Sequence, residues 1–139
     1  MTMIQLFGRT VVPGIANGRA IVSAQPLSFF GGVDPNDGVI IERGHDLEGK
    51  KVTGKILVFP HGKGSTVGSY VIYGMKKKGT APAAIINIDT EPIIAAGCVL
   101  GEIPLMDKLN ENPIEVIKTG NFVKVIADRG IIEINRNGD

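Results

Sequence analysis

The chain has a single cysteine, Cys98, in 139 residues, so no internal disulfide can form. An iron–sulfur cluster is normally held by several thiolates, and a structural zinc by about four Cys or His ligands. One Cys and two His can supply neither, so no metal site is expected here and any metal used must come from a partner. An excess of one charge is missing too. The 15 basic and 14 acidic side chains leave a formal charge of +1, and aromatics make up 5%. A nucleic-acid-binding chain would carry a clustered basic surplus and stacking rings. The one basic run, Lys76-Lys77-Lys78, falls at the predicted end of a helix, where it suits the dipole. No apolar run approaches the roughly 20 residues of a membrane span, and the first residues lack a signal-peptide pattern. Neither a nucleic acid nor a membrane is an expected partner, and a cytoplasmic location is expected.

What is present is the composition of a globular chain: 43% hydrophobic and 21% charged residues. The length suits one domain over residues 1–139, large enough for a proper core. Its organising stretch starts with the hydrophobic run 56–59, short and rich in strand formers. Pro60 ends that strand, and Gly62 and Gly64 allow backbone turns closed to other residues. Ser65 or Thr66 is a natural N-cap for a helix running to about Lys78, closed by Gly79 with Pro82 beyond it. Strand, glycine-rich loop and helix start gather free amides, hydroxyls and the Lys63 ammonium, a setting for an anion.

Around this centre, residues 3–9 and 18–23 are predicted strands, with turns at 13–14 and 16–18. Arg9 and Arg19 are either solvated strand-edge charges or groups reaching an anion or a partner. Residues 27–38 form a long loop with adjacent aromatics, Phe29 and Phe30. Either both are pinned into the core, or the loop meets a partner or shapes a pocket. Residues 39–41 are a predicted short strand, and 42–49 are polar and turn-like, with His45 expected to be structural. Residues 50–59 are the predicted strand that leads into the central loop. Beyond the helix, residues 83–88 are a buried strand, so a right-handed parallel crossover is expected. Residues 90–97 form a helix capped by Thr90, with Pro92 in its first turn. Cys98 is expected as a packed core thiol. Residues 103–106 and 122–127 are strands, 109–113 a connection, 128–130 a turn, 131–135 the returning hairpin strand, and 137–139 a frayed end. Many short strands with one or two helices point to a three-layer α/β arrangement rather than a doubly wound one.

Chemically, three readings of the loop compete. A Walker A loop needs Ser or Thr directly after its lysine and an earlier glycine at fixed spacing; Gly64 intervenes, which rules it out. A phosphohistidine carrier could use His61, but small residues entering a helix should follow the histidine, and Gly-Lys-Gly follows here. The third is a half-site for removing water from a β-hydroxy acid, which needs a base and a Lewis acid.

The segment Gly62-Lys63-Gly64-Ser65-Thr66-Val67-Gly68-Ser69, followed by residues 79–86, resembles the signature of the aconitase X swivel-domain family. Residues 8–20 and 27–34 resemble further blocks of that family in its own order, so the likeness spans residues 7–104. The resemblance implies a swivelling β/β/α three-layer domain that forms the small subunit of a hydro-lyase. It implies a large subunit carrying a 4Fe–4S cluster as partner, and a small phosphorylated hydroxy acid as substrate. By motif, Ser65 is the base, Lys63 and the Gly62 and Gly64 amides hold charge, and Ser69 assists in binding substrate. In archaeal members the implied reaction dehydrates mevalonate 5-phosphate. A hydroxyproline dehydratase is the alternative, although bacterial members of that kind carry Cys where this chain has Thr66. Without the resemblance, Ser65 reads as a plain helix cap.

Overall fold

In the computed structural model, which describes residues 3–136, the hydrophobic run before the loop forms β4 (Ile56–Val58), buried throughout. It has a parallel neighbour on each side, β3 (Ile15–Val22) and β5 (Ala84–Ile86). Next to β5, β6 (Leu105–Asp107) continues in parallel, and β2 (Arg9–Val12) closes that edge antiparallel. Strands covered on both faces need apolar residues at every position, and the two faces here serve separate cores. Leu57, Ile85 and Leu105 join one cluster with Ile72, Met75, Ile94 and Cys98. Ile56, Val58, Ala84, Ile86 and Met106 join a second with Leu6, Val123, Val125, Ile132 and Ile134.

The first cluster lies under two helices, α1 (Gly68–Lys78) after β4 and α2 (Pro92–Gly101) after β5. They approach closely at Gly97, where a Cβ would sit 2.7 Å from Ile72 Cδ1. The second cluster is closed by β1 (Met3–Phe7), β8 (Ile131–Asn135) and β7 (Phe122–Ile126), an antiparallel set. β3 belongs to both groups, pairing with β7 through residues 15–19 and with β4 through 20–22. The strand order is β1-β8-β7-β3-β4-β5-β6-β2. Antiparallel strands, parallel strands and helices are thus stacked as a β/β/α three-layer domain. Among the described residues no helix is long and apolar enough to cross a membrane.

Several local expectations change. Residues 16–18 are not a turn but lie within β3; Gly18 is there for close approach, since its Cβ would meet Gly54 O at 2.9 Å. Residues 39–41 are not a strand: Val39 and Ile40 make only isolated bridges, to Lys51 and Val33, held by bonds such as Ile40 N–H to Lys50 O and Ile41 N–H to Gly32 O. Residues 50–55 are not strand; Gly54, at φ 70°, turns the chain just before β4. The helix expected at 90–97 begins at Pro92 and runs on to Gly101, capped by Glu91 rather than Thr90. The connection at 109–113 leads into a short helix, α3 (Pro113–Val116), and the turn before β8 is a 3-10 helix (Ala127–Arg129). Residues 137–139, expected to fray, lie outside the described residues.

Candidate functional site

The glycine-rich loop sits where β4 gives way to α1, at the same end of the fold as the start of α2. Phe59 is still buried and packs against Phe29, with ring centroids 6.4 Å apart. The chain then surfaces, and His61 and residues 63–67 are all exposed. Gly62 stays buried, its N–H donating to Glu91 Oε1 at 3.1 Å. A Cβ there would fall 2.5 Å from that oxygen and 2.6 Å from Ile94 Cγ1, so only glycine fits. Gly64 has φ +86°, and its Cβ would lie 2.5 Å from Ser28 Oγ.

A second loop lies alongside. Leu27 N–H donates to His61 O (3.3 Å), and Lys63 N–H donates back to Leu27 O (3.2 Å). Lys63 Nζ reaches Glu42 Oε2 at 2.8 Å, while Glu42 Oε1 accepts the Ser28 N–H at 3.0 Å. Burial pushes the Glu42 carboxyl up, but the Lys63 ammonium and the Ser28 N–H outweigh it and hold it below the usual carboxylate range.

Ser65 Oγ accepts the Val67 N–H at 3.1 Å, and Ser65 O accepts the Gly68 N–H at 3.0 Å. Neither Ser65 nor Thr66 is the helix cap that their chemistry suggests. Val67 occupies that position without a side-chain bond, because an extra turn intervenes and Ser65 closes that turn instead. Ser69 is buried in the first turn of α1, its hydroxyl donating to Thr66 O at 2.9 Å. With Thr66, Pro92, Ile93 and Ala96 it lines a cavity of about 220 Å³ between the starts of α1 and α2. The N–H groups of Gly64, Ser65 and Thr66 meet no acceptor among the described residues. Three free amides beside a hydroxyl at the positive end of an 11-residue helix favour an anion. The Gly62 amide, spent on Glu91, is not among them.

The remaining candidates stand elsewhere. Arg9 makes a two-point contact with the buried Asp107, Nε–Oδ1 2.8 Å and Nη2–Oδ2 2.7 Å, and ties β2 to β6. Arg19 lies over the Phe122 ring at 5.4 Å. His45 is buried, with Nε2 3.1 Å from Pro26 O and Nδ1 accepting the Leu47 N–H at 3.0 Å. His61 donates through Nδ1 to Gly62 O at 2.7 Å. The two aromatics separate: Phe29 is in the core and Phe30 is 53% exposed. A larger cavity, about 560 Å³, lies at the far end of α2 against Val11, Pro13, Val99 and Glu102.

The donor set does not fit an iron–sulfur cluster. Among the described residues no three His, Cys, Asp or Glu side chains gather in a way that could hold a metal ion. Cys98 is fully buried in the helix-side core, where burial pushes its thiol far above the usual range.

Two residues that matter to this geometry, Glu42 and Glu91, carry no sequence signal. Each is defined by a contact with the loop from a distant part of the chain.

The model of the aconitase X swivel domain family matches residues 5–134. The chain is 53% identical over 134 residues to the phosphomevalonate dehydratase small subunit of Methanosarcina acetivorans, covering 96% of this chain and 93% of that protein. It is 51% identical over 136 residues to the protein of the same name from Pyrococcus furiosus, covering 98% and 99% respectively. A crystal structure of Thermococcus kodakaraensis aconitase X in its holo-form is similar with a TM-score of 0.90 at 49% identity, covering 96% of this chain and 99% of that one.

Proposed function

The chain belongs to the aconitase X swivel domain family, and on that premise we propose that it is the small subunit of a phosphomevalonate dehydratase. The observation that carries this reading is near-complete alignment, at about half identity, with several relatives of that name. Its substrate is mevalonate 5-phosphate and its product trans-anhydromevalonate 5-phosphate. The enzyme is cytoplasmic and works only when joined to a large subunit. Exposed Phe30, Val67 and Tyr70 close to the glycine-rich loop support a partner covering this end of the fold.

In this reading Ser65 Oγ accepts the proton from the carbon next to the carboxylate, that C–H electron pair becomes the new double bond, and the hydroxyl on the neighbouring carbon departs as hydroxide, so that proton and hydroxide together make the water lost. The Lewis acid for that departure is assigned to a 4Fe–4S cluster in the large subunit, because this chain lacks the donors to hold one. A serine hydroxyl is a poor base until its oxyanion is stabilised. The Val67 N–H already points at Ser65 Oγ. A hydrogen bond to a charged group contributes about 1.5–3 kcal/mol, and a helix start about 0.3–1 kcal/mol at an exposed position. Together these lower a pKa by about one to three units. The rest must come from closure against the partner, which excludes water and strengthens both terms. Lys63 and the Gly64 amide hold substrate charge, Gly62 keeps the loop close to α2, and Ser69 shapes the adjoining cavity.

The test is anaerobic co-expression with the large subunit and an assay of mevalonate 5-phosphate dehydration. The wild-type complex turns over, and Ser65→Ala assembles normally but loses about 10²–10⁴-fold in kcat. A complex that forms but ignores mevalonate 5-phosphate overturns the substrate and directs attention to hydroxyprolines. A Ser65→Ala complex with wild-type kcat overturns the base. The carrier reading predicts the opposite pattern, with loss in His61→Ala and none in Ser65→Ala.

A further inference from the structure

We propose that Glu42 is a positioning residue of this site, a single carboxylate that binds Lys63 to the loop at Ser28 and so sets Lys63 and Ser65 in place before substrate arrives. The inference rests on the function proposed above, in which Lys63 holds substrate charge. An exposed Lys–Glu pair usually contributes little, because two long side chains must be held in one geometry. This pair differs in three respects. Glu42 is largely sheltered, with its side chain 21% exposed. Its second oxygen is occupied by a backbone donor, Ser28 N–H at 3.0 Å. Its own N–H donates to Gly32 O at 3.1 Å, and Gly32 has no room for a side chain, since a Cβ would lie 2.0 Å from Ser28 O and 3.0 Å from Glu42 Oε1.

The carboxylate is therefore backed by a packed loop. That loop is in turn stitched to residues 61–63 by two backbone bonds and pressed against Gly64 through Ser28. Lysine alone cannot hold a direction, since its ammonium is a point charge on a flexible four-carbon stem. Glu42 supplies the direction and balances the charge. Two of the three ammonium donors remain for an incoming carboxylate or phosphate.

A double-mutant cycle in the two-subunit enzyme tests this, using Glu42→Gln, Lys63→Met and the double variant. Glu42→Gln is expected to lower kcat/KM about 10–100-fold, as outer partners of functional groups do. If Glu42 acts through Lys63, the double variant is no worse than Lys63→Met alone. Losses that multiply, or an unchanged kcat/KM in Glu42→Gln, overturn the proposal. Glu42→Asp, which keeps the charge one methylene short, is expected to recover part of the loss. A second measurement needs neither substrate nor partner: backbone amide NMR of the full chain. Glu42→Gln should shift or broaden the amides of Ser28, Lys63, Gly64 and Ser65 while β4 and β5 stay unchanged; undisturbed loop amides overturn the proposal. If the wild-type complex leaves mevalonate 5-phosphate untouched while the loop amides respond, the function falls and the positioning role stands. If the complex turns over and the losses multiply, the reverse holds.

Discussion

Gly64 is the residue on which the loop turns, and it is held by conformation as well as by space. At φ +86°, with Ser28 Oγ 2.5 Å from where a Cβ would lie, Gly64→Ala combines left-handed strain with a contact that only a rotating serine can relieve. A cost of about 1–2 kcal/mol is expected, read from denaturant unfolding, with the double variant Gly64→Ala/Ser28→Gly recovering the steric share alone. Gly64 was legible in the sequence because its signal is local, a turn whose positive φ needs glycine; Gly62 has no positive φ and is glycine for want of space beside Glu91 and Ile94, contacts that no local rule foresees. The fates of Phe29 and Phe30 were not legible. They are the same residue type side by side, and only Phe59, thirty positions on, decides which of them is buried.

At the scale of elements, the start of α2 shows how a correct element can be read with the wrong cap. Thr90 has the right chemistry, but its N–H goes to Asp107 Oδ2 at 2.8 Å and its hydroxyl to Asn87 Oδ1 at 3.1 Å. Glu91 is left to accept the Ile93 N–H at 2.7 Å and the Ile94 N–H at 3.2 Å. Asp107 lies seventeen residues away, beyond the reach of any local rule. Because the same carboxylate holds Gly62, Glu91→Ala should act twice. It removes a cap, at about 1–2 kcal/mol of stability, and it frees the Gly62 amide, which hydrogen exchange should report as lost protection at Gly62 as well as at Ile93 and Ile94. By contrast, the end of α1 followed from sequence alone. Gly79 adopts φ +79° as its left-handed cap, and three lysines fill the last turn.

At the scale of the whole molecule, two carboxylates tie distant segments and both titrate below their ordinary range. Burial pushes Asp107 up, but Arg9 and the Thr90 N–H pull it down further, and Glu42 behaves likewise with Lys63. A carboxyl with a lowered folded-state pKa adds stability that is complete above its unfolded value, about 4, and is lost as pH falls through the folded one. Unfolding free energy measured in denaturant should therefore hold level down to about pH 5 and fall below about pH 4, with Asp107→Asn showing a shallower acid limb. The layer order was readable as a class from many short strands and two helices, but the sharing of β3 was not. Nothing in residues 15–22 announces that the strand changes neighbours halfway. That sharing has a mechanical consequence. A stack of two separate sheets could slide along the plane between them, as cards do. Here one continuous backbone is sewn into both, so there is no plane along which to slip. A load applied at the antiparallel face therefore reaches β4 through continuous backbone, and the glycine-rich loop that follows β4 is carried on the same frame.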